Sequence, residues 1–200
     1  RWWSWPRCWA SWPCAMPAEA AETVLWVWRH PRPEGAAGLC VGARSDLPVH
    51  WRRAKRLARR IQQHARRHQL PHIVHSSPLR RCAAVGAWLK RWGWQHHIDP
   101  VLAEIDFGAW DGLKWAQIDK TAVDAWVADF ALYRPGQGES LQDLLQRVAA
   151  WPAPPNALVI SHGGWMLARR WLQEHGSAAL PDAGQWPAAP GYGQMWKMGP

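Results

Sequence analysis

Three short apolar runs, Thr23–Trp28 (TVLWVW), Ile73–Val74 (within HIVHSS) and Ala157–Ile160 (ALVI), are separated by long stretches whose apolar residues recur at three- and four-residue steps. Each run is short, rich in β-branched or aromatic residues and bounded by turn signals, as buried strands of an α/β sheet are. The clearest intervening pattern is residues 51–68. There Trp51, Ala54, Ala58, Ile61, Ala65 and His68 make one apolar stripe, and eight Arg or Lys occupy the other faces. Further helices are expected at 79–92, 114–130, 140–150 and 164–175, and a last strand at 192–198. Strand and helix in alternation predict a three-layer α/β/α sandwich around a mostly parallel central sheet. No internal repeat is visible, and two hundred residues suffice for one domain with a sizeable core.

The residues just past each run carry the chemistry. The first run ends in Arg29–His30–Pro31 and the second in Ser76–Ser77–Pro78, opening a helix with Arg80 and Arg81. The third ends in Ser161–His162–Gly163–Gly164, again at a helix start. Ligands of open α/β sheets bind beyond the carboxyl ends of the strands. Two histidines and at least two arginines are therefore delivered to one edge, where Gly163 and Gly164 let an anion approach helix N–H groups closely. That combination describes a phosphate site.

A phosphoryl group held by guanidinium ions needs a nucleophile that is neutral near pH 7. Histidine suits, because neighbouring arginines depress its pKa. A second histidine can donate hydrogen bonds to the phosphoryl oxygens. The leaving oxygen needs a proton, which a carboxylic acid beside a bound dianion can hold. Glu104, in LAEIDFGAWDG, is the best candidate, with Asp106 and Asp111 as alternatives.

Arg29–His30, Ser76–Ser77–Pro78–Leu79–Arg80–Arg81, Glu104 with Phe107–Gly108–Ala109–Trp110–Asp111–Gly112, and Ser161–His162–Gly163–Gly164 together resemble the histidine phosphatase (phosphoglycerate mutase-like) superfamily. The motifs stand in the family's order over about residues 23–198. The resemblance implies that His30 is the phosphorylated nucleophile and that Arg29, Arg81 and His162 bind the phosphoryl group. Glu104, by its spacing to the motif, is then the proton donor and afterwards the base for water. Pro31–Arg32–Pro33 depart from the family's usual Gly after the histidine, and Ala36 stands where many members have Asn. The RHP start and the segment Gly38–Pro48 resemble the α-ribazole phosphatase branch, with Val41 in place of an aromatic and Ala43 shifting Arg44 by one residue. Arg44 either reaches substrate or pairs with Asp46. The expected activity is phosphomonoester hydrolysis through a phosphohistidine, on α-ribazole 5′-phosphate in cobalamin biosynthesis. The alternatives are a broad-specificity phosphatase, a phosphoglycerate mutase, or a non-catalytic anion or RNA binder.

Residues 105–139, with Trp110, Trp115, Trp126, Phe130 and Tyr133, are expected to form a small cap; for each aromatic, ordinary core packing is the simpler reading. Residues 1–15 contain five of the nineteen tryptophans and no Leu, Ile or Val. That excludes a signal-peptide core. Met16 is read as the start of a single domain over 16–200, with 1–15 disordered or an over-extended reading frame and a Trp-rich surface anchor as the alternative. Cys8, Cys14, Cys40 and Cys82 show no zinc or disulfide spacing, so reduced thiols in a cytoplasmic protein are expected. No metal and no cofactor are expected, and His96–His97 lacks a third ligand. The net charge of +9 invites an anionic partner. The stripe in 51–68 nonetheless reads as a covering helix with a solvated arginine face, so nucleic acid is not expected as a partner. Nor is a membrane, since no eighteen-residue apolar run exists. The expected partner is a small phosphomonoester, and oligomeric state is not legible.

Overall fold

The computed structural model describes residues 24–199; the expectations for residues 1–15 and for Met16 lie outside them. Five strands form one sheet: β1 (Leu25–Arg29), β2 (Ile73–Ser76), β3 (Gln95–Ile98), β4 (Leu158–Ser161) and β5 (Met195–Met198). Their order is β3-β2-β4-β1-β5. All neighbours are parallel except β5, which runs antiparallel to β1. The five main helices are α1 (Trp51–Arg67), α2 (Arg80–Arg91), α3 (Lys120–Ala128), α4 (Leu141–Ala149) and α5 (Gly163–His175).

The alternation of side chains along a strand sorts the core into two layers. Trp28, Val74, Leu158 and Ile160 pack against Ala54, Leu57, Ala58 and Ile61 of α1 and Val85 and Leu89 of α2. Leu25, Val27 and Val159 pack on the opposite face against Leu144, Leu145 and Val148 of α4 and Trp165, Met166 and Ala168 of α5. The sandwich is thus three layers deep, as the alternating pattern predicts. Strand β4 is buried at every position, which is why its sequence is a continuous apolar run.

Two elements differ from expectation. Strand β3 (QHHI) has three exposed residues of four and no readable apolar pattern. It is a strand because it pairs with β2, His75 opposite His97. The helix expected over 114–130 is divided into a 3₁₀ turn at Trp115–Gln117 and α3. Asp119 starts the second piece by accepting the Thr121 N–H at 3.1 Å, an N-cap that breaks the first. No helix among the described residues is long and apolar enough to cross a membrane.

Candidate active site

Strands β2, β4 and β1 are neighbours, so their carboxyl ends lie side by side. Arg29 is level with Ser161, and the His30 N–H donates to the Ser161 carbonyl at 3.0 Å. The Ser77 N–H donates to the Ile160 carbonyl at 3.2 Å, which sets the start of α2 and with it Arg81. Parallel pairing alone therefore gathers Arg29, His30, Arg81 and His162 at one edge, the place where such sheets bind ligands.

His30 is buried, and its Nδ1 lies 2.8 Å from the Pro31 carbonyl. A carbonyl only accepts, so the proton is on Nδ1 and Nε2 carries the lone pair. Pro31 has no N–H to offer, yet its carbonyl is what orients the ring. Burial, followed by the Arg81 charge, lowers the His30 pKa to about 3, against an opposing pull from the Pro31 carbonyl; Arg29 adds to the depression.

Arg81 is fully buried and held by three acceptors. Its Nη1 donates to the Ser45 carbonyl at 2.5 Å, its Nη2 to the Gly42 carbonyl at 2.9 Å and its Nε to His162 Nδ1 at 3.2 Å. That last bond leaves the His162 proton on Nε2, which faces Cys82 Sγ at 3.4 Å. Burial, then Arg81, pushes His162 well below the ordinary imidazole value, so it too is neutral. The two rings lie 5.0 Å apart, centroid to centroid.

Arg29 donates from Nη1 to the Pro190 carbonyl at 2.6 Å, and its buried Nε has no hydrogen-bond partner among the described residues. Its guanidinium lies against Gly163, where a Cβ would sit 3.3 Å from Cζ. Glu104 is buried beside the same helix start. Its carboxylate accepts from the Ile105 N–H at 3.1 Å and the Gly164 N–H at 3.3 Å. Burial raises the Glu104 pKa, and Arg81, those two N–H groups and Arg29 offset part of the rise. Gly164 makes room for the carboxylate, because a Cβ at that position would overlap Glu104 Oε1.

Arg44 does not join this cluster. It is exposed and pairs with Asp106, Nε to Oδ1 at 2.8 Å and Nη2 to Oδ2 at 3.0 Å, rather than with Asp46. Asp46 instead accepts the Arg80 N–H at the start of α2, at 2.6 Å. Asp111 accepts from the Gly42 N–H at 3.0 Å, the Arg44 N–H at 2.8 Å and the Ser45 hydroxyl. Both aspartates offered as alternatives to Glu104 are thus occupied elsewhere. Asp111 shapes the very loop whose carbonyls grip Arg81.

Sequence reasoning missed Tyr192. The turn before β5, tied by the Gly193 N–H to the Arg29 carbonyl at 3.0 Å, lays this ring over Arg29 at 4.2 Å and 5.6 Å from the His30 ring. No motif marks it. Of the aromatics in 105–139, Trp110 packs with Trp126 and Tyr133 around Ile118 and Cys40, as core packing predicts. A cleft of about 470 Å³ runs beside Ala43, Glu104, Glu139 and Arg147, but His30, Arg29, Arg81 and His162 do not line it. Among the described residues, no three His, Cys, Asp or Glu side chains converge as metal ligands.

The family profile described as "Histidine phosphatase superfamily (branch 1)" matches residues 25–183. The mycobacterial glucosyl-3-phosphoglycerate phosphatase Rv2419c superposes with a TM-score of 0.65 at 27% identity, over 88% of this chain and 89% of that one. A protein of Escherichia coli K-12, provisionally described as an alpha-ribazole-5′-P phosphatase, gives 0.60 at 26% identity, over 79% and 83% of the two chains. The bifunctional protein Rv2228c of Mycobacterium tuberculosis H37Rv is 38% identical over 88 residues, 42% of this chain. This chain spans about a quarter of that relative's length, 24%.

Proposed function

From the premise that this chain belongs to the histidine phosphatase superfamily (branch 1), we propose that it hydrolyses a small phosphomonoester through a phosphohistidine formed on His30. The observation that carries the reading is geometric: His30, Arg81 and His162 are gathered and buried at one sheet edge, with Glu104 buried beside the start of α5. There burial pushes the pair His30 and Glu104 in opposite directions, down and up. Such a pair supplies a free nucleophile and a held proton at the same pH. His30 Nε2 attacks phosphorus while the bond from phosphorus to the ester oxygen breaks, and Glu104 gives its proton to that oxygen. Water then attacks the phosphohistidine, Glu104 takes the proton back, the P–N bond breaks and inorganic phosphate leaves. Arg29, whose buried Nε lacks a partner among the described residues, and Arg81 would neutralise the phosphoryl oxygens. His162 shares a hydrogen bond with Arg81, so an incoming phosphoryl oxygen competes for both. Gly163 lets the Arg29 guanidinium lie against the start of α5. No metal or cofactor has a part in this scheme.

The narrower proposal for substrate is α-ribazole 5′-phosphate, in cobalamin biosynthesis and in the cytoplasm. The exposed Tyr192 ring beside His30 favours an ester with a planar group to stack. Phosphate release from α-ribazole 5′-phosphate in excess chelator, with His30→Ala as control, tests both levels. Chelator-resistant, His30-dependent turnover supports mechanism and substrate. His30-dependent release only from other esters discards the substrate, and no release from any ester discards the hydrolytic reading.

A further inference from the structure

Charge is segregated along this chain. All fifteen acidic residues lie outside positions 47–98, and that stretch holds twelve of the twenty-four Lys and Arg. It builds α1 and α2, the layer on one face of the sheet. The buried stripe of Ala54, Leu57, Ala58, Ile61 and Ala65 accounts for the inner side of α1; Trp51 and His68, expected in that stripe, are exposed, and Leu57 takes part instead. The stripe does not account for the outer side.

A merely solvated helix face mixes its signs. Two other helices here do so, with Lys120–Asp124 on α3 at 2.5 Å and Arg170–Glu174 on α5 at 2.7 Å. Among the described residues no ion pair involves a side chain of α1. Instead Arg52, Arg53, Lys55, Arg56, Arg59 and Arg60 make six like-charged pairs at three- or four-residue spacing, each of which destabilises a helix. An anionic strand along this ridge, about 12 Å from Arg52 to Arg60, relieves that repulsion.

Aromatic rings stand within the ridge, and one of them comes from the neighbouring helix, where the periodicity of α1 cannot reveal it. Trp88 of α2 has Lys55 Nζ over its ring at 4.8 Å and Arg91 at 5.0 Å. Trp51, one turn before Lys55, is 53% exposed and carries Arg52 at 5.2 Å. Cations that track a backbone, interleaved with rings that stack bases, are how single strands are held. A membrane surface fits less well, because a helix lying in lipid inserts its apolar face, and that of α1 is spent on the core.

We propose that the outer face of α1, with Trp51 and Trp88, binds single-stranded nucleic acid, phosphates on the arginines and bases on the tryptophans. The proposal is independent of the phosphatase reading, and no side-chain hydrogen bond or ion pair among the described residues joins Arg52, Arg56 or Arg59 to the catalytic cluster. Fluorescence anisotropy of a labelled single-stranded RNA, titrated with the full chain between about 50 and 200 mM salt, tests it. The expected result is binding that weakens steeply with salt, with a log–log slope near −3.5 for about five phosphates. The triple variant Arg52→Gln, Arg56→Gln, Arg59→Gln should bind at least about tenfold more weakly with a slope shallower by about 2, while ester hydrolysis is unchanged. Trp51→Ala should weaken binding without changing the slope. Absence of binding at the lowest salt overturns the proposal, as does a triple variant that binds like the parent. So does tighter binding to duplex, or to phosphatidylserine–phosphatidylcholine vesicles, than to the single strand.

Discussion

As the proposed nucleophile, His30 must be unprotonated to attack phosphorus, and burial and Arg81 hold its pKa down. The same feature makes stability depend on pH. In the unfolded chain His30 takes up a proton near 6.5, in the folded protein only near 3. Between those values the unfolded state binds the extra proton, so stability is full above the upper limit and falls as pH drops through the window. His162 acts in the same direction. The melting temperature should fall between about pH 7 and pH 4, and less steeply in His30→Ala. Asp111 works at one remove, as a positioning residue for Arg81. Asp111→Ala leaves the Gly42 and Arg44 N–H groups and the Ser45 hydroxyl without their acceptor. The Gly42 and Ser45 carbonyls then lose their aim on Arg81. We expect kcat/KM to fall by about 10- to 100-fold, with a parallel loss of vanadate affinity, and Asp111→Asn to recover part of both.

At the scale of elements, the start of α5 shows how a helix serves a neighbouring side chain. Gly164 has ordinary helical geometry, so Gly164→Ala suits the helix and should hold or raise stability by up to about 1 kcal/mol. Its new methyl group would displace the Glu104 carboxyl, the movable end of a side chain. Chemical denaturation should therefore show an intact fold, while hydrolysis slows most for esters with poor leaving groups, which need the proton. Equal slowing for all esters would argue that Glu104 is not the acid. Elements were legible where burial imposed a pattern. The stripe of α1 and the apolar run of β4 could be read directly, since each has a face or a whole length to hide. Strand β3 could not, because its pairing comes from β2 and its own residues are mostly exposed.

Across the whole molecule, the excursion between β3 and α4 is sewn together by glycines. Gly108 has φ +56°, and a Cβ there would overlap the Gly136 carbonyl. Gly136 in turn meets the Phe107 carbonyl and the Ala109 nitrogen. Gly108→Val adds about 1–3 kcal/mol of backbone strain to that overlap. Limited proteolysis should then cut more readily between 106 and 139, while hydrogen exchange in β1 and β4 stays slow.

The sequence by itself determined the layered α/β plan and the chemical character of the site. Apolar periodicity reflects burial locally; His30, Arg81 and His162 follow or open elements the chain already marks, and Glu104 is marked by its motif. Only the tertiary structure decided which groups hold those residues. The Arg44–Asp106 pair, the grip of the 42–45 loop on Arg81 and the ring of Tyr192 over Arg29 join positions far apart in the chain. No local pattern encodes such contacts, because they arise from the strand order and from where the connecting loops land.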